Sequence, residues 1–518
     1  MRPFTRPLDM RYETHSKSFK IIEPTHKVPI SCMFLCQFDM KRGNVVIWSK
    51  ISPLSSDLDL TNVEFKALPS GISDIDQDTV NFVIPKGDGT DDFYYGLASY
   101  QQNAKRLAEH SKHIDRSEVQ MYSLGVIVDP NFRQKGISQS RYYDWKPNQF
   151  VSANEYIDDL SKLLSHWLKM GDLQVYKQFE EYFESNCLKR DSGCLSSPVL
   201  QRNWQNAGKF IDDNTEPAKH PHMLESLTQW VNYLGPLMFP LWKLCLLRER
   251  VLILGGSGVT FDKCNSLTYC LSILSLIPRI IQNNIHDEPL QPLYTVGLTD
   301  TGYLTDIVSR AIGGEEESYN IGGYIACTTD EILTYKPELF DALLKIHGAN
   351  SFPELTASDG SQIKATPHEM EMYEHLVHTK LGYQLSHDEV EKLMNLVEPL
   401  TWSQYLIDGF YWWATAGYMR PSFHETEEEV LGEIDRENLE VVLSLVGYFH
   451  EKTCTLFRKL QEVVESSDEE EIVLSPAFLS SVGLDCFSSQ DYTFVEKLGL
   501  KWFNRSIQVK RIDLNILC

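Results

Sequence analysis

The stretch Ser31-Cys-Met-Phe-Leu-Cys-Gln-Phe38, followed by Asp39-Met-Lys-Arg-Gly-Asn44 and Val45-Val-Ile-Trp48, sets the reading of the chain. Its apolar run predicts a buried strand, the Gly-containing polar corner a hairpin turn, and the β-branched run a returning strand. Working outward, Thr79 to Ile84, Phe93 to Tyr100 and Met121 to Val128 predict further strands, with a helix over Asn103 to His110. Antiparallel strands with few helices fit one α/β module over residues 1–146.

From Pro147 the period changes. Tyr156, Leu160, Leu163, Leu164 and Trp167 form a helical apolar stripe, and Val175, Phe179, Tyr182 and Phe183 continue it. Residues 184–222, rich in Ser, Asn, Asp and Pro, read as a linker, so 147–222 is a helical segment and linker. Residues 223–366 alternate between helix and strand. Leu224 to Leu234, Leu237 to Leu247 and Ser266 to Leu276 predict helices; Val251 to Leu254, Tyr294 to Gly297 and Gly323 to Cys327 predict core strands. Residues 367–518 read as helical: His368 to Lys380, His387 to Val397, Tyr405 to Met419, Thr426 to Leu443, Leu456 to Val464 and Phe487 to Leu498, with an acidic loop at 465–471. The fold class is therefore multidomain α/β with a helical C-terminal region.

Composition narrows the function. The 518 residues hold 48 Lys plus Arg against 72 Asp plus Glu, a net charge of −24. Such a chain repels a polyanion, which argues against nucleic acid as the partner. The charge is regional: residues 1–150 hold 19 basic and 18 acidic side chains, so the excess acidity lies beyond them. Eleven cysteines without a Cys-x-x-Cys spacing suit a reducing cytosol rather than a disulfide framework. Neither a signal-peptide pattern nor an apolar run of membrane-spanning length is present, so the expected location is cytoplasmic, with peripheral contact to an intracellular membrane.

Motif chemistry is sparse. Leu252-Ile-Leu-Gly-Gly-Ser-Gly258 places glycines after a strand, but Phe261 stands where a dinucleotide loop requires its third glycine, and Val259 breaks a nucleophile elbow. His375 and His378 lie one turn apart near Glu371 and Glu374, without a third ligand fixed by spacing; a solvated helix face is the simpler reading. Asp74, Asp76 and Asp78 alternate, which suits either a cation or basic partner, or a polar strand edge leading into Val80, Phe82 and Ile84. No cofactor, metal site or catalytic residue is expected. Phe410-Tyr-Trp-Trp-Ala414 predicts a helix packed between domains, with Tyr411, Trp412 and Trp413 as structural residues beside Trp48 and Trp242. Ser467, within Glu465-Ser-Ser-Asp-Glu-Glu-Glu471, is a phosphorylation candidate for an acid-directed kinase.

Four stretches in order resemble the DENN-domain proteins, and among them the DENN domain-containing protein 11 group with its fungal relatives. They are Phe38 to Trp48 with Val63 to Gly71, Tyr95 to Tyr100 and Met121 to Val128; Leu234-Gly-Pro-Leu237 with Leu241 to Arg248 and Arg250 to Leu254; Tyr324 to Ile332 with Lys336 to Asp341; and Phe410 to Ala414 with Ala416-Gly417, Gly483-Leu484 and Asp491 to Glu496. The resemblance implies an upstream longin-like module, a central α/β DENN domain and a helical downstream region. It further implies guanine nucleotide exchange on a Rab-type small GTPase in vesicle traffic, without covalent catalysis. With no basic amphipathic helix evident, recruitment to the membrane is expected through a partner protein or a lipid modification. The competing expectation is a DENN-like trafficking scaffold or Rab effector that binds without accelerating release. The candidate GTPase-contacting residues are Asp39, Lys41, Arg42 and Asn44 in the hairpin, and Thr299, Asp300 and Tyr303 in a loop over 295–305.

Overall fold

The computed structural model describes residues 27–68, 75–87, 92–103, 119–132, 145–170, 174–187, 220–278, 281, 289–313, 323–348, 351–400, 438–467 and 471–510. At its centre is one ten-stranded mixed sheet. Its first half is antiparallel, ordered β3-β4-β5-β1-β2, and consists of β1 (Ile30–Asp39), β2 (Gly43–Ile51), β3 (Gln77–Pro85), β4 (Phe93–Gln102) and β5 (Met121–Val128). The second half contains β6 (Val251–Gly255), β7 (Gln291–Thr295), β8 (Tyr324–Thr328) and β9 (Ala342–Ile346), mutually parallel, with β10 (Glu354–Ala357) antiparallel at the edge. Across the sheet the order is β10-β9-β6-β8-β7-β3-β4-β5-β1-β2.

The halves meet where β3 runs antiparallel to β7 through the single pair Phe82 and Tyr294. Ladder hydrogen bonding at this seam is thin, but side chains cross it. Val83 and Tyr95 share one buried cluster with Leu293, Tyr294 and Tyr324, and the Tyr294 hydroxyl donates to the Phe150 carbonyl at 3.0 Å. Apolar burial of this kind, at about 25 cal/mol per Å², dominates cohesion.

Both faces of the antiparallel half are covered, which explains its nearly continuous apolar strands. Over one face the short helix α1 (Val63–Ala67) packs beneath Phe34, Phe82 and Tyr100. Over the other lie α2 (Ile157–Met170) and α3 (Lys177–Asn186), contributing Leu160, Leu164, Trp167 and Phe179. Trp48 of β2 closes this layer against Tyr176 and Phe179, with ring centroids 6.1 and 5.7 Å away.

The parallel half is covered by α4 (Leu227–Leu234), α5 (Met238–Leu246) and α6 (Phe261–Leu274), with α7 (Thr301–Gly313) following β7. Behind them stand α8 (Pro367–Leu376), α9 (His387–Leu393), α10 (Asn438–Ser466), α11 (Pro476–Ser481) and α12 (Ser489–Phe503), with a two-stranded parallel sheet of β11 (Glu471–Leu474) and β12 (Ser506–Val509). Trp242 of α5 packs on Phe449 of α10 at 5.8 Å, so it joins the central and C-terminal regions.

Three sequence expectations change. The 295–305 segment is helical from Leu298 onward, because the Asp300 carboxylate accepts the Gly297 N–H at 2.9 Å and starts the turn that leads into α7. The helix expected over Leu456 to Val464 is the C-terminal end of α10, a 29-residue helix in which Leu445, Phe449, Phe457 and Leu460 are buried. Strands β9 to β12 were not anticipated. The aromatic run with Tyr411, Trp412 and Trp413, Asp74, and most of the 184–222 linker lie outside the described residues.

Candidate functional site

The hairpin between β1 and β2 turns tightly because Asp39 spends its carboxylate on the turn itself. Its Oδ1 accepts the N–H groups of Lys41 and Arg42 at 2.8 and 2.9 Å, which lowers the Asp39 pKa. Gly43 closes the corner at φ +76°, a left-handed conformation that favours glycine. The tip therefore presents exposed Met40, Lys41 and Arg42, while Asp39 faces its own backbone. Half-buried Asn44 donates from Nδ2 to the Glu64 carbonyl of α1 at 3.5 Å.

The second candidate segment follows β7. Thr299 is exposed, and half-buried Tyr303 sets its ring edge-on to Phe93 at 6.1 Å. Asp300 behaves differently. It is buried, and its Oδ1 pairs with Lys66 Nζ of α1 at 2.5 Å. The strand register places the hairpin and the C-terminus of β7, with the 297–300 turn, toward the same end of the sheet, whereas Tyr303 turns back toward Phe93, which pairs with Pro85 at the opposite end. Gln77, Gln101, Tyr122 and Gln37 form one row across β3, β4, β5 and β1, just before the hairpin. Antiparallel to β3, β7 points its C-terminus toward that row. This is also the carboxyl end of the parallel strands, where open α/β sheets bind ligands.

Sequence reasoning missed α1 as the link between the two segments. Val63, Lys66 and Ala67 occupy the buried face at i, i+3 and i+4, leaving Phe65 exposed. A lysine on the buried face of so short a helix was the available signal.

The glycine loop after β6 has a definite internal role. Gly256 donates its N–H to the Ile346 carbonyl at 2.8 Å, and Thr260 caps α6 by accepting from Lys263 at 3.3 Å. Asp78, arriving from β3, accepts the N–H groups of Phe261 and Asp262 at 2.8 and 3.2 Å. A helix N-terminus attracts anions, and here the anion is a carboxylate of the same chain. Burial pushes the Asp78 pKa up to about 6 against those hydrogen bonds. Among the described residues, no group of three or more His, Cys, Asp or Glu side chains is placed to hold a metal ion. Burial also pushes the thiols of Cys245, Cys264 and Cys270 up to about 12, away from thiolate chemistry.

Between α5, α8 and α12 lies a buried charge cluster. Lys243 Nζ pairs with Glu369 Oε1 at 2.6 Å and with the Asp491 carboxylate, at the floor of a cavity of about 320 Å³ bordered by Ile363, Phe494 and Lys497. Burial pushes Glu369 up to about 7 against the pull of Lys243. Burial also opposes the Lys243 charge, but Asp491 and Glu369 outweigh it and raise the lysine pKa. Ser467 lies half-buried just after α10, where the helix dipole disfavours added negative charge. No helix among the described residues is long and apolar enough to cross a membrane.

The model of the family described as DENN domain-containing protein 11 matches residues 33–354, a span running from β1 to the start of β10. The chain is 37% identical over 526 residues to the uncharacterized protein ANR2 of Saccharomyces cerevisiae, with 95% of each protein covered. It is 27% identical over 497 residues to the uncharacterized protein C119.16c of Schizosaccharomyces pombe, covering 92% of this chain and 93% of that protein. With the DENN domain-containing protein 11 of Xenopus laevis it shares 25% identity over 321 residues, 60% of this chain and 58% of the relative. The match to the family model takes in the hairpin, α1 and the segment after β7 together, and the chain belongs to the DENN domain-containing protein 11 family.

Proposed function

We propose that the chain is a guanine nucleotide exchange factor for a Rab-type small GTPase, working as a peripheral protein on an intracellular membrane to which a partner recruits it. In this reading residues 1–146 are a longin-like module, 223–366 the central DENN domain and 367–518 the helical downstream region. Membership of a DENN family supports it. The observation that supports it is that the hairpin and the 297–300 turn after β7 lie toward one end of the sheet and are both bonded to α1.

Exchange needs no nucleophile. The factor binds the nucleotide-free GTPase more tightly than the loaded form and so lowers the barrier to GDP release. A large mixed surface suffices, with apolar anchors inside a polar rim. Met40, Phe65 and Leu298, exposed by 59%, 48% and 40%, supply the apolar part. Lys41, Arg42 and Thr299 supply the polar part.

The test is release of labelled GDP from a panel of purified Rab-type GTPases, with the protein at catalytic amounts. Accelerated release from one member supports exchange. Capture of a GTP-loaded member without acceleration replaces this reading with that of an effector or scaffold.

A further inference from the structure

We infer that Lys66 and Asp300 are a positioning pair that holds the hairpin tip and the turn after β7 as one surface for the GTPase. The inference rests on the exchange reading and names the side chains that build its binding surface. The two residues are 234 positions apart in sequence, and their side chains are only 9% and 11% exposed. Both carboxylate oxygens of Asp300 are engaged: Lys66 Nζ meets Oδ1, and Oδ2 accepts the Gly297 N–H.

A buried ion pair is a poor choice where stability alone is wanted, since well-packed apolar side chains usually do as well or better. What it supplies is direction. A methionine at 66 would fill the same space against Val63 and Ala67 but would accept any nearby placement of the 297–300 turn. The lysine accepts one.

The position of α1 makes this direction matter. The helix has five residues, too few to be stable alone, so its placement comes from packing against Phe34, Phe82 and Tyr100. Its backbone at Glu64 receives Asn44 from the base of the hairpin, and two residues later Lys66 takes Asp300. Phe65 stands between these tethers and is 48% exposed. An exposed aromatic centred between two polar segments is the arrangement that interfaces use for an energetic anchor.

The experiment compares the wild type with Lys66→Met and Lys66→Arg. It reads catalytic efficiency on the GTPase that responds to the wild type, and amide hydrogen exchange over residues 39–44 and 297–303. For Lys66→Met the expected result is at least a tenfold loss of kcat/KM, carried mainly by KM, and faster amide exchange in both segments. Lys66→Arg, which keeps the pair, restores both. Unchanged amide exchange in either segment, or an arginine variant as impaired as the methionine variant, overturns the inference. If the wild type accelerates no GTPase, the exchange reading fails while the amide measurement still decides the positioning claim: loosening of both segments upholds it, and loosening of 297–303 alone overturns it. Should Lys66→Met not fold, Asp300→Asn carries the same comparison, because its amide oxygen still accepts from Gly297.

Discussion

The carboxylate of Asp78 accepts the backbone N–H of Phe261 at 2.8 Å, so a strand of the antiparallel half caps a helix of the parallel half 183 residues later. The bond ties together the two sides of a seam whose ladder has a single strand pair. Asp78→Ala leaves the Phe261 and Asp262 N–H groups without this acceptor and is expected to cost about 2 kcal/mol. Asp78→Asn keeps one acceptor oxygen and should lose less. Urea unfolding measures both, and an alanine variant as stable as the wild type would show that the cap contributes nothing.

Gly96 and Gly125 admit the rings that fill the core beneath the antiparallel half of the sheet. A Cβ on Gly96 would stand 2.2 Å from Phe82, and one on Gly125 would stand 2.3 Å from Phe34. The two rings are 6.2 Å apart and fully buried. Gly96→Ala is therefore expected to destabilise by about 1–3 kcal/mol through overpacking. Adding Phe82→Leu should recover part of the loss. The check is a double-mutant cycle by thermal unfolding; purely additive losses would remove the steric explanation.

How much of this was legible depends on how each residue earns its place. Strands β5 and β6 could be read directly because burial on both faces leaves predominantly apolar runs at Met121–Val128, interrupted only by Ser123, and Val251–Gly255. Strand β7 was expected over Tyr294 to Gly297 but runs Gln291–Thr295. Pro292 argues against a central strand, yet it is tolerated because pairing to β3 is confined to Tyr294. Strand β9 was hidden because Ala-Leu-Leu-Lys-Ile has no strand period and carries Lys345. At the candidate site the hairpin was legible from local turn chemistry. The Lys66 and Asp300 pair was not, since no local signal connects residues separated by 234 positions.

Trp242 tests the attachment of the C-terminal helices. It is 4% exposed against Phe449, and Phe449 also meets Phe239 at 5.5 Å. Trp242→Ala is expected to cost about 3–5 kcal/mol. Limited proteolysis should then cut within residues 438–510 before the sheet. Simultaneous loss of both regions would instead make them one cooperative unit.

Glu369 gives the cluster beneath the cavity a defined pH dependence. Its folded pKa of about 7 lies above the ordinary value of 4.5, so folding takes up a proton between those limits. Its contribution to stability is greatest below about pH 4.5 and is lost as pH rises through 7. Burial lowers the pKa of His368, His222 and His450, and these groups push the opposite way below pH 6.5. The difference between the wild type and Glu369→Gln cancels the histidines. Measured by thermal unfolding, that difference should move in favour of the wild type as pH falls from 7 toward 5 and stay flat above pH 8. A flat difference throughout would mean that Glu369 keeps an ordinary carboxylate pKa.

The hairpin tip separates binding from folding most cleanly. Lys41 and Arg42 are exposed, and the turn is held by Asp39 and Gly43 rather than by their side chains. Reversing both charges, Lys41→Glu with Arg42→Glu, should leave unfolding within about 0.5 kcal/mol of the wild type. The tip is cationic in a chain of net charge −24, so in the proposed exchange function it would draw in an acidic patch on the GTPase while the rest of the molecule repels it. Removing that attraction acts first on the association rate. The double variant is therefore expected to lose roughly tenfold or more of kcat/KM for GDP release at low salt, and less at 0.5 M salt, where screening has already weakened the wild type. An equal loss at both salt concentrations would point to a direct contact made in the nucleotide-free complex. No loss at either would take the hairpin out of the binding surface and leave Phe65, Leu298 and Thr299 to carry it.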